Sequence, residues 1–327
     1  MVLDSASVGI VVRTRNRPLF LARALENIFC QNFSDFTVVV VNDGGAPADV
    51  EQVVSGVPDE YRERITVLHR PESRGMEAAS NAGIRACSST YIAIHDDDDL
   101  WHPDFLKRTV DCLEDTAAAG VMVRTNIRYE QMADGDIREI DSVPFWPDMK
   151  QISLGSMLQI NQAVPISFLY RRSLHDELGY YDESLEVVGD WEFHLRVLSR
   201  HTLEFLDGET LAFWCQRPDA SGDSANSVNN KADAHRRFDA RVRDAYLRED
   251  ISRHGMGSLL HLTKLLARQE ELLDGNRRRM EEMEHRLNES LLRLEDTVVR
   301  RTSLSSSVGR MRSAAGQIRS LIGRAGK

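Results

Sequence analysis

Four aspartates in succession, Asp96-Asp97-Asp98-Asp99, close an apolar segment and are followed by Leu100-Trp101-His102-Pro103. Adjacent carboxylates repel one another, and burying them without a cation is costly. A solvated acidic turn would avoid that cost. The apolar residues on both sides argue for a packed setting instead, and with it a bound divalent ion. Carboxylate oxygens suit Mg²⁺ or Mn²⁺, which keep positions open for water and phosphate oxygens. If the chain stays extended through the run, Asp96 and Asp98 point one way and Asp97 and Asp99 the other, so one pair faces a ligand. A DDxxD diphosphate motif is ruled out, because Leu100 stands where a further Asp is required.

Other polar residues have two readings each. Asp43, before Gly44-Gly45, suits the N–H of a pyrimidine ring or simply forms a turn. Arg17 and Arg74 suit phosphate or an ordinary surface. A GxGxxG dinucleotide loop and a GxxxxGK[ST] loop are both absent, which removes the usual oxidoreductase and NTPase readings.

The elements that must position these residues are legible as alternation. Apolar runs at 8–12, 37–41, 65–68 and 91–94 read as buried strands, and helical patterns cover 19–29 and 77–86. Strands apolar on both faces and separated by helices predict a parallel sheet with helices on each side. Ligands gather beyond the carboxyl ends of such strands, where Thr14, Arg17, Asp43 and the acidic run fall together. From about residue 121 the pattern becomes irregular, with a strand at 167–170, a helix at 191–198 and a polar loop at 217–230.

Beyond that loop the chain reads as helical and charged. Leu259, Leu266, Leu273, Met280, Leu287 and Leu294 recur every seventh residue, with Gln269 and Asn276 at companion positions and Gly275 as an interruption, a partial heptad. Leu304, Val308, Met311, Ala315, Ile318 and Ile322 form an apolar stripe among arginines, which suits a membrane surface or a second subunit. The net charge of -10 argues against a nucleic-acid partner. No acidic residue follows Asp296, so the tail is basic on an acidic body. Cys30, Cys87, Cys112 and Cys215 are scattered and read as free thiols in a reducing compartment. No signal-like or membrane-spanning stretch is present, and a cytoplasmic location is expected.

The segments VGIVVRTRNRP, VVVVNDGG, ESRGMEAASNAGI, YIAIHDDDDLWHPDFL and GYYDESLEVVGDWEFHLRVL occur in this order. Together they resemble the inverting glycosyltransferases of family 2, over about the first two-thirds of the chain. The resemblance implies an α/β fold of GT-A type, a Rossmann-like mixed sheet flanked by helices and followed here by a C-terminal helical extension. The implied organisation is a glycosyltransferase domain at 1–225 (nucleotide-sugar half 1–120, acceptor half 121–225), a helical extension at 226–300 and a basic amphipathic tail at 301–327.

By the same resemblance Thr14 and Arg17 lie in the first nucleotide-contact loop, and Asp43 recognises uracil or thymine. Arg74, Gly75 and Asn81 belong to the loop and helix that pass the nucleotide and sugar. Asp96 and Asp98 are the outer members of a DxD metal signature, and Asp190 is the general base. An ordinary helix N-cap is the bland role for Asp190. Arg217 is an expected diphosphate contact. Asn42, Ser80, Gly189 and Glu192 depart from the family pattern. The expected activity is metal-dependent, inverting transfer from a UDP- or dTDP-sugar to a hydroxyl of a glycan or lipid-linked glycan. The context would be O-antigen or capsule synthesis, in the cytoplasm or at the inner face of the cytoplasmic membrane. The rival reading is a non-catalytic scaffold subunit of a polysaccharide-assembly complex.

Overall fold

The computed structural model describes residues 6–133, 136–218 and 232–322. The elements follow in the order β1 (Val8–Thr14), α1 (Pro18–Phe29), β2 (Phe36–Asp43), α2 (Pro47–Ser55), α3 (Asp59–Arg62), β3 (Ile65–Arg70), α4 (Met76–Ala86), β4 (Tyr91–Asp96) and β5 (Leu100–Trp101). Next come α5 (Phe105–Asp115), β6 (Gly120–Val123), β7 (Thr125–Ala133), β8 (Asp136–Pro144), α6 (Leu154–Gln159) and a 3₁₀ turn (Pro165–Ser167). The remainder is β9 (Phe168–Arg171), α7 (Leu174–Leu178), α8 (Gly189–Leu198), β10 (Leu203–Leu206), β11 (Ala212–Gln216), α9 (Ala232–His254) and α10 (Gly257–Ile322).

The main sheet has seven strands in the order β10-β6-β9-β4-β1-β2-β3. All its pairings are parallel except those of β9, which runs antiparallel to both β4 and β6. The sheet is thus mixed, as expected. Its inner strands are apolar on both faces because both are covered. Alternation along each strand sorts the side chains: Ile10, Val12, Val38 and Val40 pack with Leu21, Leu25, Leu106 and Val110. Val11, Val39, Val41 and Ile94 pack on the other face with Ala79, Ile84, Phe193 and Val197. Gly83 lets α4 lie close on β1, since a Cβ there would meet Val11 Cγ1 at 2.3 Å. Gly83→Ala is therefore expected to cost about 1–3 kcal/mol by overpacking, read as a lowered midpoint in urea unfolding.

The chain leaves β1 for β2 and β3 on one side and returns to β4 on the other. This reversal opens a crevice at the carboxyl ends of β1 and β4, where Thr14 and Asp96 sit. A second sheet, ordered β5-β11-β7-β8, flanks that crevice. Its β7–β8 register shifts between Tyr129 and Glu130.

Several elements differ from the sequence reading. The helix read as 191–198 begins two residues earlier, at Gly189, so Asp190 lies within its first turn. The N-cap is Val188, at φ 63, an uncommon conformation for a β-branched residue. Asp190 is thus not the cap. The long helix α10 runs on through Gly275 without a break.

Two compact units divide the chain, Met1–Tyr246 and Leu247–Lys327. The first runs past residue 225 because Phe238 and Val242 of α9 are buried in its core. Arg243 lies 4.8 Å over the Trp191 ring, and the Tyr246 hydroxyl donates to Glu192 Oε1 at 2.8 Å. The loop expected at 217–230 falls mostly outside the described residues, as do the side chains of the 304–322 stripe. No helix among the described residues is long and apolar enough to cross a membrane.

Candidate active site

The acidic run does not continue β4. The chain turns after Asp96, and Asp99 N–H donates to the Asp96 carbonyl at 3.2 Å. Strand alternation therefore does not sort the four aspartates, and each takes a separate environment. Asp96 faces Arg13 across the β1–β4 register and receives both Nε and Nη2 at 2.7 Å. Asp97 is buried and accepts the Thr14 hydroxyl at 2.7 Å, with Arg17 at 3.3 Å. Asp98 accepts Arg17 Nη1 at 3.0 Å and the Arg217 guanidinium. Asp99 accepts the Cys215 N–H at 2.8 Å.

These differences set the charge. Burial works against ionised Asp98, but Arg17 and Arg217 outweigh it and hold its carboxyl below the usual range. Burial, opposed by Arg17, pushes Asp97 up to about 7. Burial together with Asp98 and Asp96 pushes the Asp99 carboxyl well above its usual value. The cost of packing four carboxylates, taken from the sequence as a sign of a metal, is thus met in part within the chain, by guanidinium groups at Asp96, Asp97 and Asp98.

Arg217 is central to that balance. It follows β11, is 2% exposed, and bridges Asp98 to Glu130 Oε2 at 3.2 Å. Its guanidinium also lies 4.4 Å over the Phe20 ring. Glu130, placed where the β7–β8 register shifts, takes Arg23 Nη1 at 2.7 Å and Arg128 Nε at 3.2 Å.

Asp43 has a different set of partners. Its Oδ2 accepts Ser73 Oγ at 2.6 Å and Gly75 N–H at 3.1 Å, and its Oδ1 accepts Arg74 N–H at 3.2 Å and pairs with Arg70 at 2.8 Å. The carboxylate ties down the loop before α4, in which Gly75 takes φ 97. The Arg74 side chain is 63% exposed and reaches Glu183 at 3.6 Å. Asn81 is 1% exposed and holds both the N–H and the carbonyl of Tyr181, at 3.0 and 2.9 Å. Asn81 is accordingly a buried clamp between α4 and the segment leading to α8.

A cavity of about 910 Å³ connects the two halves. Arg13, Asp96 and Asp190 all line it, with Trp146, Trp191 and Trp214 among its walls. Asn161 Nδ2 donates to Asp190 Oδ2 at 3.1 Å. Glu77 lies under α8 and accepts the Gly189 N–H at 3.2 Å; burial pushes it up to about 7. The turn carrying Trp146, at φ 51, is held by Arg124, which donates to the carbonyls of Trp146 and Met149 at 2.9 and 2.6 Å. His194, by contrast, is core: burial lowers it to about 4, and its ring stands edge-on to Phe168.

The structure thus brings Thr14, Arg17, Asp96, Asp98 and Arg217 together, and Asp190 lines the same cavity as Asp96. Asp43, Arg74 and Gly75 form an adjoining loop. Arg13, Glu77, Glu130 and Asn161 join the site without having been singled out in the sequence. Only Arg13 left a signal, a guanidinium inside an otherwise apolar strand. As for a metal, carboxylate oxygens with phosphate oxygens and water are a donor set that Mg²⁺ and Mn²⁺ take; Asp96 and Asp98 supply oxygens of that kind, which here are engaged by Arg13 and by Arg17 and Arg217. Among the described residues there is no converged group of three or more His, Cys, Asp or Glu.

The sequence pattern described as "Glycosyl transferase family 2" matches residues 9–179, which span β1 to the end of α7 and include the whole acidic run. The chain belongs to glycosyl transferase family 2. This family 2 chain is 26% identical over 260 residues to the uncharacterized glycosyltransferase YwdF of Bacillus subtilis, covering 77% of this chain and 85% of that one. It is 37% identical over 94 residues to the succinoglycan biosynthesis protein ExoW of Rhizobium meliloti, covering 28% and 29%. The crystal structure of S. aureus TarS 1-349 in complex with UDP-GlcNAc superposes with a TM-score of 0.52 at 17% identity, covering 67% of this chain and 61% of that one. That likeness is one of fold, and it agrees with the GT-A type read from the motifs.

Proposed function

We propose that this family 2 member transfers a sugar, with inversion, from a UDP- or dTDP-sugar to a hydroxyl of a glycan or lipid-linked glycan in cell-surface polysaccharide synthesis. The observation that carries the reading is one cavity at the strand reversal whose lining includes both the Asp96–Arg13 pair and Asp190. A TarS structure that contains UDP-GlcNAc and a relative named for succinoglycan biosynthesis support the donor and the context.

Asp190 accepts the proton of the acceptor hydroxyl as that oxygen attacks the anomeric carbon, and Asn161 orients the carboxylate. The bond to the diphosphate breaks on the opposite side, which gives single displacement rather than the two-carboxylate chemistry of hydrolases. Arg17 and Arg217 would neutralise the negative charge that builds on the leaving group. Asp96 and Asp98 would hold a divalent ion, which when bound neutralises the same charge. Asp43, through its loop, sets the wall against which the pyrimidine rests.

The test is donor turnover. With Mn²⁺, a panel of UDP- and dTDP-sugars should include one that is hydrolysed or transferred. Chelation, or Asp98→Asn, should reduce that rate by about 10²-fold or more, with the thermal transition checked for each variant. Turnover that survives chelation would remove the metal from the mechanism. A panel in which nothing binds would favour the scaffold reading.

A further inference from the structure

In the second unit, α10 presents a row of apolar side chains to water. Leu266 is 58% exposed, Leu273 59%, Met280 70%, Leu287 62% and Leu294 61%, each seven residues from the next. Leu262 and Met283, also exposed, fall three positions after Leu259 and Met280. The row extends from 259 to 294, about 54 Å of helix at 1.5 Å per residue. Leu265 and Leu272 border it on one side and Leu291 on the other. A seam with this seven-residue period stays on one face only when two helices wind around each other.

We propose that α10 pairs with α10 of a second copy of this chain as a parallel, in-register, two-stranded coiled coil. The polar members of the seam choose the partner and the direction. Gln269, Asn276 and Ser290 occupy the companion positions, while the Leu259 series is apolar throughout. In parallel register each polar residue meets its own copy, and an amide both donates and accepts. An antiparallel partner would set every one of them against a leucine or methionine, leaving buried amides unpaired. The flanking charges agree. Arg279 of one helix faces Glu284 of the other, and the remaining flanking pairs, Leu265 with Glu270, Leu272 with Arg277 and Arg286 with Leu291, join no like charges.

Sedimentation equilibrium of the full chain tests this, against a mass of 37.0 kDa for one copy. Two copies per particle are expected, and Leu273→Asp with Leu287→Asp should weaken the association on the order of 100-fold or more. Unfolding of the first unit, followed alongside, should not change. In a Cys30→Ser background, Asn276→Cys should give a disulfide between copies under mild oxidation, because identical seam positions face each other. A single copy at tens of micromolar protein, a three-copy particle, or a dimer that survives the double substitution would overturn the proposal. A dimer that fails to cross-link through position 276 would overturn the parallel register.

Discussion

Replacing Asp190 with Asn is expected to lower glycosyl transfer by about 10²–10⁴-fold while leaving the affinity for UDP within about twofold of wild type. The substitution keeps the shape and the contact to Asn161, because an amide oxygen still accepts Nδ2. What it removes is the capacity to take a proton. Asp190 lies in the first turn of α8, but the cap is Val188, so loss of its charge does not unmake a helix cap. Single-turnover kinetics with a saturating donor separates the chemical step from binding. An Asn variant that transfers at the wild-type rate would transfer the base role to another group on the cavity wall, and Glu77 would be the next to test.

The second large effect concerns stability. Arg217→Met should destabilise the first unit by about 3–5 kcal/mol, the cost of removing one partner of a buried ion pair. The guanidinium is 1% exposed at its side chain and serves two carboxylates, Asp98 and Glu130, whose own exposures are 10% and 0%. Arg17 remains for Asp98, and Arg23 and Arg128 remain for Glu130, so the fold should persist at reduced stability. Arg217→Lys keeps the charge but not the fork that spans both partners, and should fall between the two. Urea unfolding of the three proteins gives the ranking. A loss of less than about 1 kcal/mol in Arg217→Met would mean that the pair contributes little to the fold.

The sequence revealed most where structure is local. The strands β1, β2 and β4 are built around apolar runs because helices cover both of their faces, and Pro18 marks the first turn of α1, where its missing N–H costs nothing. The strand β8 gave no such signal. Its residues are mostly exposed, Asp136, Arg138 and Glu139 among them, and their pairing with β7 is specified by backbone bonds that side-chain type does not report. The site divides in the same way. Four aspartates at the end of a strand are visible in any reading of the chain. The arginines that neutralise them are not, because Arg13 pairs with Asp96 across 83 positions and Arg217 with Asp98 across 119. Spacing in the sequence carries no information about such pairs. For that reason the burial cost of the acidic run pointed to a metal alone, where the fold supplies guanidinium groups as well.

The pairing of Asp98 with Arg17 and Arg217 has a consequence for ligand affinity. If the diphosphate uses the same guanidiniums, as proposed, those aspartate oxygens would act as a tethered competitor held at high effective concentration. Anion entry would then be an exchange, and its affinity the difference between two well-paired states. A divalent ion that took up Asp98 would release the arginines and so favour the anion, and the anion would favour the ion by the same factor. Cation and diphosphate would thus be reciprocal effectors of one another, coupled through a single carboxylate.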